Sequence, residues 1–362
     1  MGSATAYHLA RRGEPVLLIE QFALGHDRGS SHGAARITRH SYAESHYARL
    51  MPQAFRAWRV LEADAGQNLY LRTGGVSFCP PEVDYVARVA ASLAAIDVPH
   101  RRFSGRELHR VYPVFQVPDE TDVVFEPDAG MLAAARCVAL EVALARELGG
   151  EKTQVRDQCP VRRIDLDAEK PTIVTDKERI EADRLIVTAG AWTRQLFPRF
   201  ATVLRPTRQK VLYFRPTEAA AFEPGRFPVF IYKGAAALED FYGMPAFLGM
   251  GVKTARHGGP DTDPDLEDRV VGDDDRAIVR RFLGESLPAL AEAPIDRTET
   301  CLYTVSPDEH FRLDFLPGRK DIIFASPCSG HGFKFSCLVG SVLADLATQG
   351  ETGVDIAPWR VG

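Results

Sequence analysis

The sequence predicts an α/β plus α+β architecture: a parallel α/β layer with an incomplete opening βαβ unit, joined to a second unit built on a mostly antiparallel sheet. Three observations carry this. Residues 2–20 read as helix, glycine and apolar strand. Two later apolar runs end in small-residue turns, and the segments between them are aromatic, β-prone and broken by glycine and proline.

The first helix is the run of small residues from Gly2 to Arg12, closed by Gly13. Pro15-Val16-Leu17-Leu18-Ile19-Glu20 follows, an apolar run ending in an acid, as a buried parallel strand does where it meets a ribose. Together they form the second half of a dinucleotide-binding βαβ unit, with Met1-Gly2 at the last positions of G-x-G-x-x-G. A full fingerprint has a strand and two more glycines ahead of Gly2. The expectation is that the cell's product carries them, about a dozen residues in all. The same half-motif also occurs in α/β proteins that bind no nucleotide.

Arg184-Leu185-Ile186-Val187-Thr188-Ala189-Gly190-Ala191-Trp192 is an apolar strand running into a small-residue turn, and Asp321 to Ala325 repeats that layout. Both turns belong at the carboxyl end of a parallel sheet, where ligands bind. Phe335, Leu338, Val339, Val342, Leu343 and Leu346 recur at helical spacing, so Ser329 to Lys334 is a turn leading into an amphipathic helix. Gln209 to Phe214 and Phe241 to Val252 read as strands of the second sheet. The chain therefore crosses between its units more than once: residues 1–75, 128–205 and 300–362 are expected in the nucleotide-binding domain, 76–127 and 206–299 in the other. Gly258 to Asp265 reads as a solvated acidic turn.

At 362 residues, with 45% hydrophobic and 26% charged, the chain has the composition of an ordinary globular protein large enough for two domains. A net charge of -5 argues against nucleic acid as a partner. No apolar run reaches the length that spans a bilayer, and the first residues lack the layout of a signal peptide, which points to a cytoplasmic protein. The six cysteines are scattered without a CxxC pair or a Cys/His cluster, which suits buried thiols better than disulfides or a metal site.

Five separated segments carry more specific information: Gly29-Ser30-Ser31-His32-Gly33-Ala34-Ala35-Arg36-Ile37-Thr38-Arg39-His40; Phe125-Glu126-Pro127-Asp128-Ala129-Gly130; Ala189-Gly190-Ala191-Trp192; Cys301-Leu302-Tyr303-Thr304 with Asp308-Glu309-His310-Phe311; and Ser329-Gly330-His331-Gly332-Phe333-Lys334-Phe335. In order and spacing they resemble the monomeric sarcosine oxidase and N-methyltryptophan oxidase family across nearly the whole chain. The resemblance implies a glutathione-reductase-like FAD-binding domain joined to a substrate domain, with the isoalloxazine ring between them.

Elementary chemistry agrees at several positions. Gly29 to Gly33 supplies permissive backbone beside a planar ring, with Ser30, Ser31 and His32 as donors. Arg36 and Arg39 stand three apart, so a helical turn places both guanidinium groups on one face, where they want an anion. Lys334 follows a Gly-His-Gly turn at a helix N-terminus, a poor place for a cation unless an anion is bound in front of it. Each position also has a plainer reading, as surface polar loop, surface arginine pair or packed tyrosine.

The remaining roles come from the resemblance alone. It implies that Arg36 lies against the flavin, and that Arg39 and Lys334 share the substrate carboxylate with Tyr242, Tyr303 and His331 nearby. It places Lys253 where oxygen reacts and His257 in the active site. Cys301 corresponds to the cysteine joined by a thioether to the flavin, and Gly330, Gly332 and Lys334 border the flavin's pyrimidine side. Gly2, Glu20, Val161, Gly190 and Trp192 are left for the nucleotide. Ala34-Ala35 departs from the aspartate-threonine that the family often has before the first arginine.

The implied activity is FAD-dependent oxidation of an N-methyl amino acid to an imine, hydrolysed to amine and aldehyde, with oxygen reduced to hydrogen peroxide by a monomer. The alternatives are N-methyltryptophan, pipecolate or another bulky or cyclic amino acid as substrate, a dehydrogenase passing electrons to a partner, and a non-catalytic remnant unable to bind FAD.

Overall fold

The computed structural model describes residues 1–236, 239–266 and 268–361. Helix Gly2–Arg11 ends as expected, with Gly13 at φ 79°, a conformation that costs glycine nothing. Strand Val16–Ile19 follows and pairs in parallel with Thr153–Arg156. A second parallel pairing joins Leu185–Val187 to Arg319–Ser326, and Arg312–Leu316 adds to it antiparallel. Gly2 lies between the two pairings: a Cβ there would stand 2.9 Å from Thr188 Oγ1 and 3.5 Å from Leu18 Cδ1. The small residues of the first helix permit close packing. Ala4 is fully buried beneath helix Ser336–Gln349, where a Cβ on Gly340 would come within 2.6 Å of it.

The second unit is an eight-stranded sheet in the order Ile295–Val305, Arg205–Phe214, Val252–Arg256, Phe241–Met244, Val229–Tyr232, Gly75–Cys79, Asp122–Glu126 and Arg101–Ser104. All its pairings are antiparallel except that between Val229–Tyr232 and Gly75–Cys79. Alternation along the strands gives the sheet two different faces. Leu212, Phe214, Phe230, Phe241 and Val252 enter an aromatic core with Phe78, Phe115, Phe227 and Phe282. There the Phe241 and Phe282 rings stack with centroids 4.2 Å apart. Val211, Tyr213, Tyr242 and Ala255 form the opposite face.

Arg36–Thr38 is a strand, not the helical turn that the arginine spacing suggested. It pairs antiparallel with Gly130–Leu132, which also pairs with Tyr70–Arg72. The β-branched Ile37 and Thr38 suit that ladder. Gly130 permits it, because a Cβ there would lie 2.2 Å from the Leu71 carbonyl oxygen. The Gly258 to Asp265 loop is also more than a solvated turn. Asp265 accepts hydrogen bonds from Trp192 Nε1 at 2.7 Å and Gln195 Nε2 at 2.8 Å, tying the loop to the turn after Leu185–Val187. Among the described residues no helix is long and apolar enough to cross a membrane.

Candidate active site

The polar face of the large sheet forms one wall of the site. Cross-strand partners share a face, and Tyr213 stands opposite Lys253, which stands opposite Met244. On the other side of Arg205–Phe214, Val211 pairs with Glu299, Gln209 with Cys301 and Thr207 with Tyr303. Lys253, Tyr242, Glu299, Cys301 and Tyr303 therefore share one face by register, and His257 follows two residues beyond Ala255.

Lys253 is 4% exposed; its Nζ donates to the Ala35 carbonyl at 3.4 Å and lies 6.0 Å from the Tyr213 ring centre. Arg36 donates to the same carbonyl at 2.9 Å and to that of Ser30 at 3.0 Å. Burial, and then the Arg36 guanidinium, brings the Lys253 pKa down to about 7. Burial pushes the Cys301 thiol up, while Arg36 and Lys253 draw it back. Tyr213 donates to Glu299 at 2.9 Å, leaving an acid beside this cationic corner. Ser30 Oγ donates to the Leu302 carbonyl, and His32 is kept neutral by burial, with its pKa near 4 and Nε2 unpartnered.

The facing wall comes from the loop after Thr38 and from the glycine turn before the C-terminal helix. Glu126, 1% exposed, accepts from the His40 amide at 2.9 Å, the Ser41 amide at 3.0 Å and His40 Nδ1 at 2.6 Å. The His40 ring stacks on Phe55 with centroids 4.3 Å apart. This lock fixes the turn that presents Arg39 and Tyr42. Arg39 is 9% exposed with Nε and Nη1 unpartnered, and its guanidinium lies 4.5 Å from the Tyr42 ring centre.

Lys334, 7% exposed, donates to Tyr42 Oη at 3.0 Å and to the His331 carbonyl at 2.9 Å, while Trp58 Nε1 holds the Lys334 carbonyl at 2.8 Å. Burial and then Arg39 push the Lys334 pKa well below its ordinary value. Among the described residues neither cation has a carboxylate partner. Lys334 sits in the 3-10 turn Phe333–Phe335, just ahead of helix Ser336–Gln349.

Two glycines make that turn possible. Gly330 has φ 86°, and a Cβ on it would stand 2.6 Å from both His257 Cε1 and Tyr303 Cε2; one on Gly332 would stand 1.6 Å from the Pro327 carbonyl oxygen. His257 and Tyr303 are in contact, with Nδ1 and Oη 3.5 Å apart. Burial brings His257 down to about 4 and His331 to about 3, so both rings are neutral at ordinary pH.

A cavity of about 510 Å³ lies between these walls. It brings together Ser30, Ser31, Arg36 and Arg39 with Tyr242, Lys253, His257, Cys301 and Tyr303, and with Gly330, His331, Gly332 and Lys334. Gly2, Glu20, His32, Val161, Gly190 and Trp192 are not in its lining. Glu20 directly follows strand Val16–Ile19 and accepts from the Phe22 amide at 3.0 Å; Gly190 has φ 53° in the Gly190–Trp192 turn. The sequence reading missed Tyr42, Glu126 and Glu299. Glu126 lay inside a recognised segment without a part of its own, and Tyr42 stands three positions beyond Arg39, the one local signal available.

The residues present fit a planar, anion-bearing cofactor. Two glycines remove side chains from one border, and on the other wall the cations Arg36 and Lys253 converge on the Ala35 carbonyl. Comparison with known proteins agrees. The profile of the FAD dependent oxidoreductase family matches residues 1–346. The monomeric sarcosine oxidase of Bacillus sp. (strain NS-129) is 34% identical over 99% of this chain and 92% of its own length. The N-methyl-L-tryptophan oxidase of Salmonella arizonae is 30% identical over 100% and 95%. Among solved structures, the Tyr258Phe mutant of NikD, an amino acid oxidase of nikkomycin biosynthesis, superposes with a TM-score of 0.86 at 22% identity, covering 99% of this chain and 93% of that one. This chain belongs to the FAD-dependent oxidoreductase family and is a flavin-dependent amine oxidase.

Proposed function

We propose that the chain oxidises N-methyl amino acids of the sarcosine class, giving an imine that water hydrolyses to amine and aldehyde, with oxygen reduced to hydrogen peroxide. The observation that carries this reading is the pair of buried cations, Arg39 and Lys334, without carboxylate partners among the described residues and facing the Lys253–Cys301 wall across one cavity. Charge-assisted contacts of this kind orient a small zwitterion by its carboxylate. FAD, when bound, supplies the two-electron oxidation of the carbon–nitrogen bond.

The chain's own residues then have separate tasks. Arg39 and Lys334 hold the carboxylate, and Tyr242 and Tyr303 wall the space for the amine. Cys301 is the site of a thioether to the flavin. Lys253 provides positive charge where negative charge develops on oxygen. Gly2, Glu20, Val161, Gly190 and Trp192, outside the cavity lining, serve the nucleotide half. The protein acts as a monomer. A bulkier substrate such as an N-methyl aromatic amino acid is the second reading, favoured by the extension of the cavity lining to Val83, Tyr85 and Ile231.

A panel of sarcosine, N-methyltryptophan, pipecolate and their primary-amine counterparts, read by peroxide release, tests the function. Turnover of at least one secondary amine with stoichiometric peroxide is expected; none across the panel would remove the oxidase reading. Acid precipitation of the holoenzyme should leave the yellow colour in the pellet, and Cys301→Ser should release it into the supernatant. Flavin freed from wild type would remove the thioether.

The charge on Lys253 is present below about pH 7 and lost above it. Reoxidation of the reduced enzyme by oxygen should therefore slow as pH rises through that value. Unit charges about 4 Å apart at an effective dielectric near 20 interact by roughly 4 kcal/mol, an upper bound of about a thousandfold in rate. Lys253→Met should be slower by orders of magnitude and flat with pH, while anaerobic reduction by amine changes far less. Stopped-flow separation of the half-reactions decides it, and crippled reduction with intact oxygen reactivity would move Lys253 to the substrate's side.

A further inference from the structure

Neither the sequence reading nor the proposed division of tasks gives Tyr42 a part, yet both cations of the clamp touch it. Its side chain is 5% exposed, packed between Tyr47 and Phe335 with ring centroids 5.4 and 5.8 Å away. Arg39 lies 4.5 Å from its ring centre, within the range in which the negative face of the ring attracts a guanidinium. Lys334 approaches from the hydroxyl end: Nζ is 3.0 Å from Oη and 5.3 Å from the ring centre.

Chemistry fixes the direction of the hydrogen bonds around that hydroxyl. The Glu309 carbonyl can only accept, so His331 Nε2, 3.1 Å away, carries the ring's hydrogen. In the neutral ring Nδ1 then has a lone pair and no hydrogen. Tyr42 Oη, 3.2 Å from Nδ1, donates to it, which turns an oxygen lone pair toward Lys334. As an ammonium, the form that a bound anion favours, Lys334 gives one hydrogen to that oxygen and one to the His331 carbonyl, so a third remains for the anion. The chain Lys334, Tyr42, His331, Glu309 thus runs one way and ends on fixed backbone.

We propose that Tyr42 is the positioning residue of the carboxylate clamp, its ring seating Arg39 and its hydroxyl aiming Lys334 so that both cations converge on one anion. The inference rests on the reading of Arg39 and Lys334 as that clamp. Glu126 supports it from behind by fixing the backbone of the two residues between Arg39 and Tyr42.

The test uses the holoenzyme and a small planar carboxylate, furan-2-carboxylate, with furan-2-carboxamide as its neutral counterpart, titrated by the change in flavin absorbance. Tyr42→Phe keeps the ring and its packing and removes only the hydroxyl. Its affinity for the carboxylate should fall roughly tenfold or more, the scale of a hydrogen bond to a charged group, while affinity for the carboxamide stays within about twofold. In a Lys334→Met background the same substitution should lose most of its effect, because the group it aims is gone. Wild-type carboxylate affinity in Tyr42→Phe, or equal losses for both ligands, would overturn the proposal. The parent reading fails separately. If Arg39→Met and Lys334→Met both keep wild-type carboxylate affinity, the clamp falls and Tyr42's part with it; if they lose affinity and Tyr42→Phe does not, the clamp stands without Tyr42.

Discussion

Arg39 and Lys334 are buried on the same side of one cavity, share Tyr42 and, among the described residues, have no acid to neutralise them. Removing charge from water costs several kcal/mol per ion unless a counter-charge or a full set of hydrogen bonds replaces the solvent. Neither is provided for Arg39, whose Nε and Nη1 have no partner, and Lys334 keeps one hydrogen unassigned. The fold sustains this arrangement through rigid supports nearby. Glu126 gathers three N–H groups to hold the loop, and Trp58 and the Gly330–Gly332 turn hold the backbone at Lys334. On the proposed reading an anion completes this site, and the stability given up is recovered when one binds.

The opposite wall solves a different problem by sheet register. One continuous face carries Lys253, Cys301, Tyr242 and Tyr303 because their strands pair in a fixed frame, with the aromatic core locking the other side. A slip of one residue in Val252–Arg256 would turn Lys253 into that core and Val252 into the cavity. Lys253 lies near Arg36 and shares the Ala35 carbonyl with it, so its own charge is poised rather than fixed. On the proposed reading the two walls divide the labour: Arg39 and Lys334 for an anion on one, Lys253 beside a buried thiol on the other.

Much of this was legible in the sequence where the determinant is local. The small-residue helix closed by Gly13, strand Val16–Ile19 and the apolar strands before the two small turns follow from short-range rules. Local spacing misled at Arg36 and Arg39, because a separation of three fits a helical turn and also a short strand running into a bend, and the partner strand Gly130–Leu132 decides between them. Tyr42 and Glu126 could not be read this way. Their contacts join residues 292 and 86 positions apart, and nothing in their immediate neighbours announces either partner. The same holds for the order of the large sheet, where Val229–Tyr232 lies parallel to Gly75–Cys79 across a long intervening stretch.

The uncompensated charge makes a direct demand on stability. Replacing Lys334 with methionine removes one buried cation and leaves a side chain of similar length beside the Tyr42 ring. In ligand-free holoenzyme at low ionic strength, the urea midpoint of Lys334→Met should equal or exceed that of wild type. Adding furan-2-carboxylate should raise the wild-type midpoint and leave the variant's nearly unmoved. A variant several tenths molar less stable than wild type without ligand, and stabilised by the carboxylate to the same degree, would contradict the account that these cations wait for an anion.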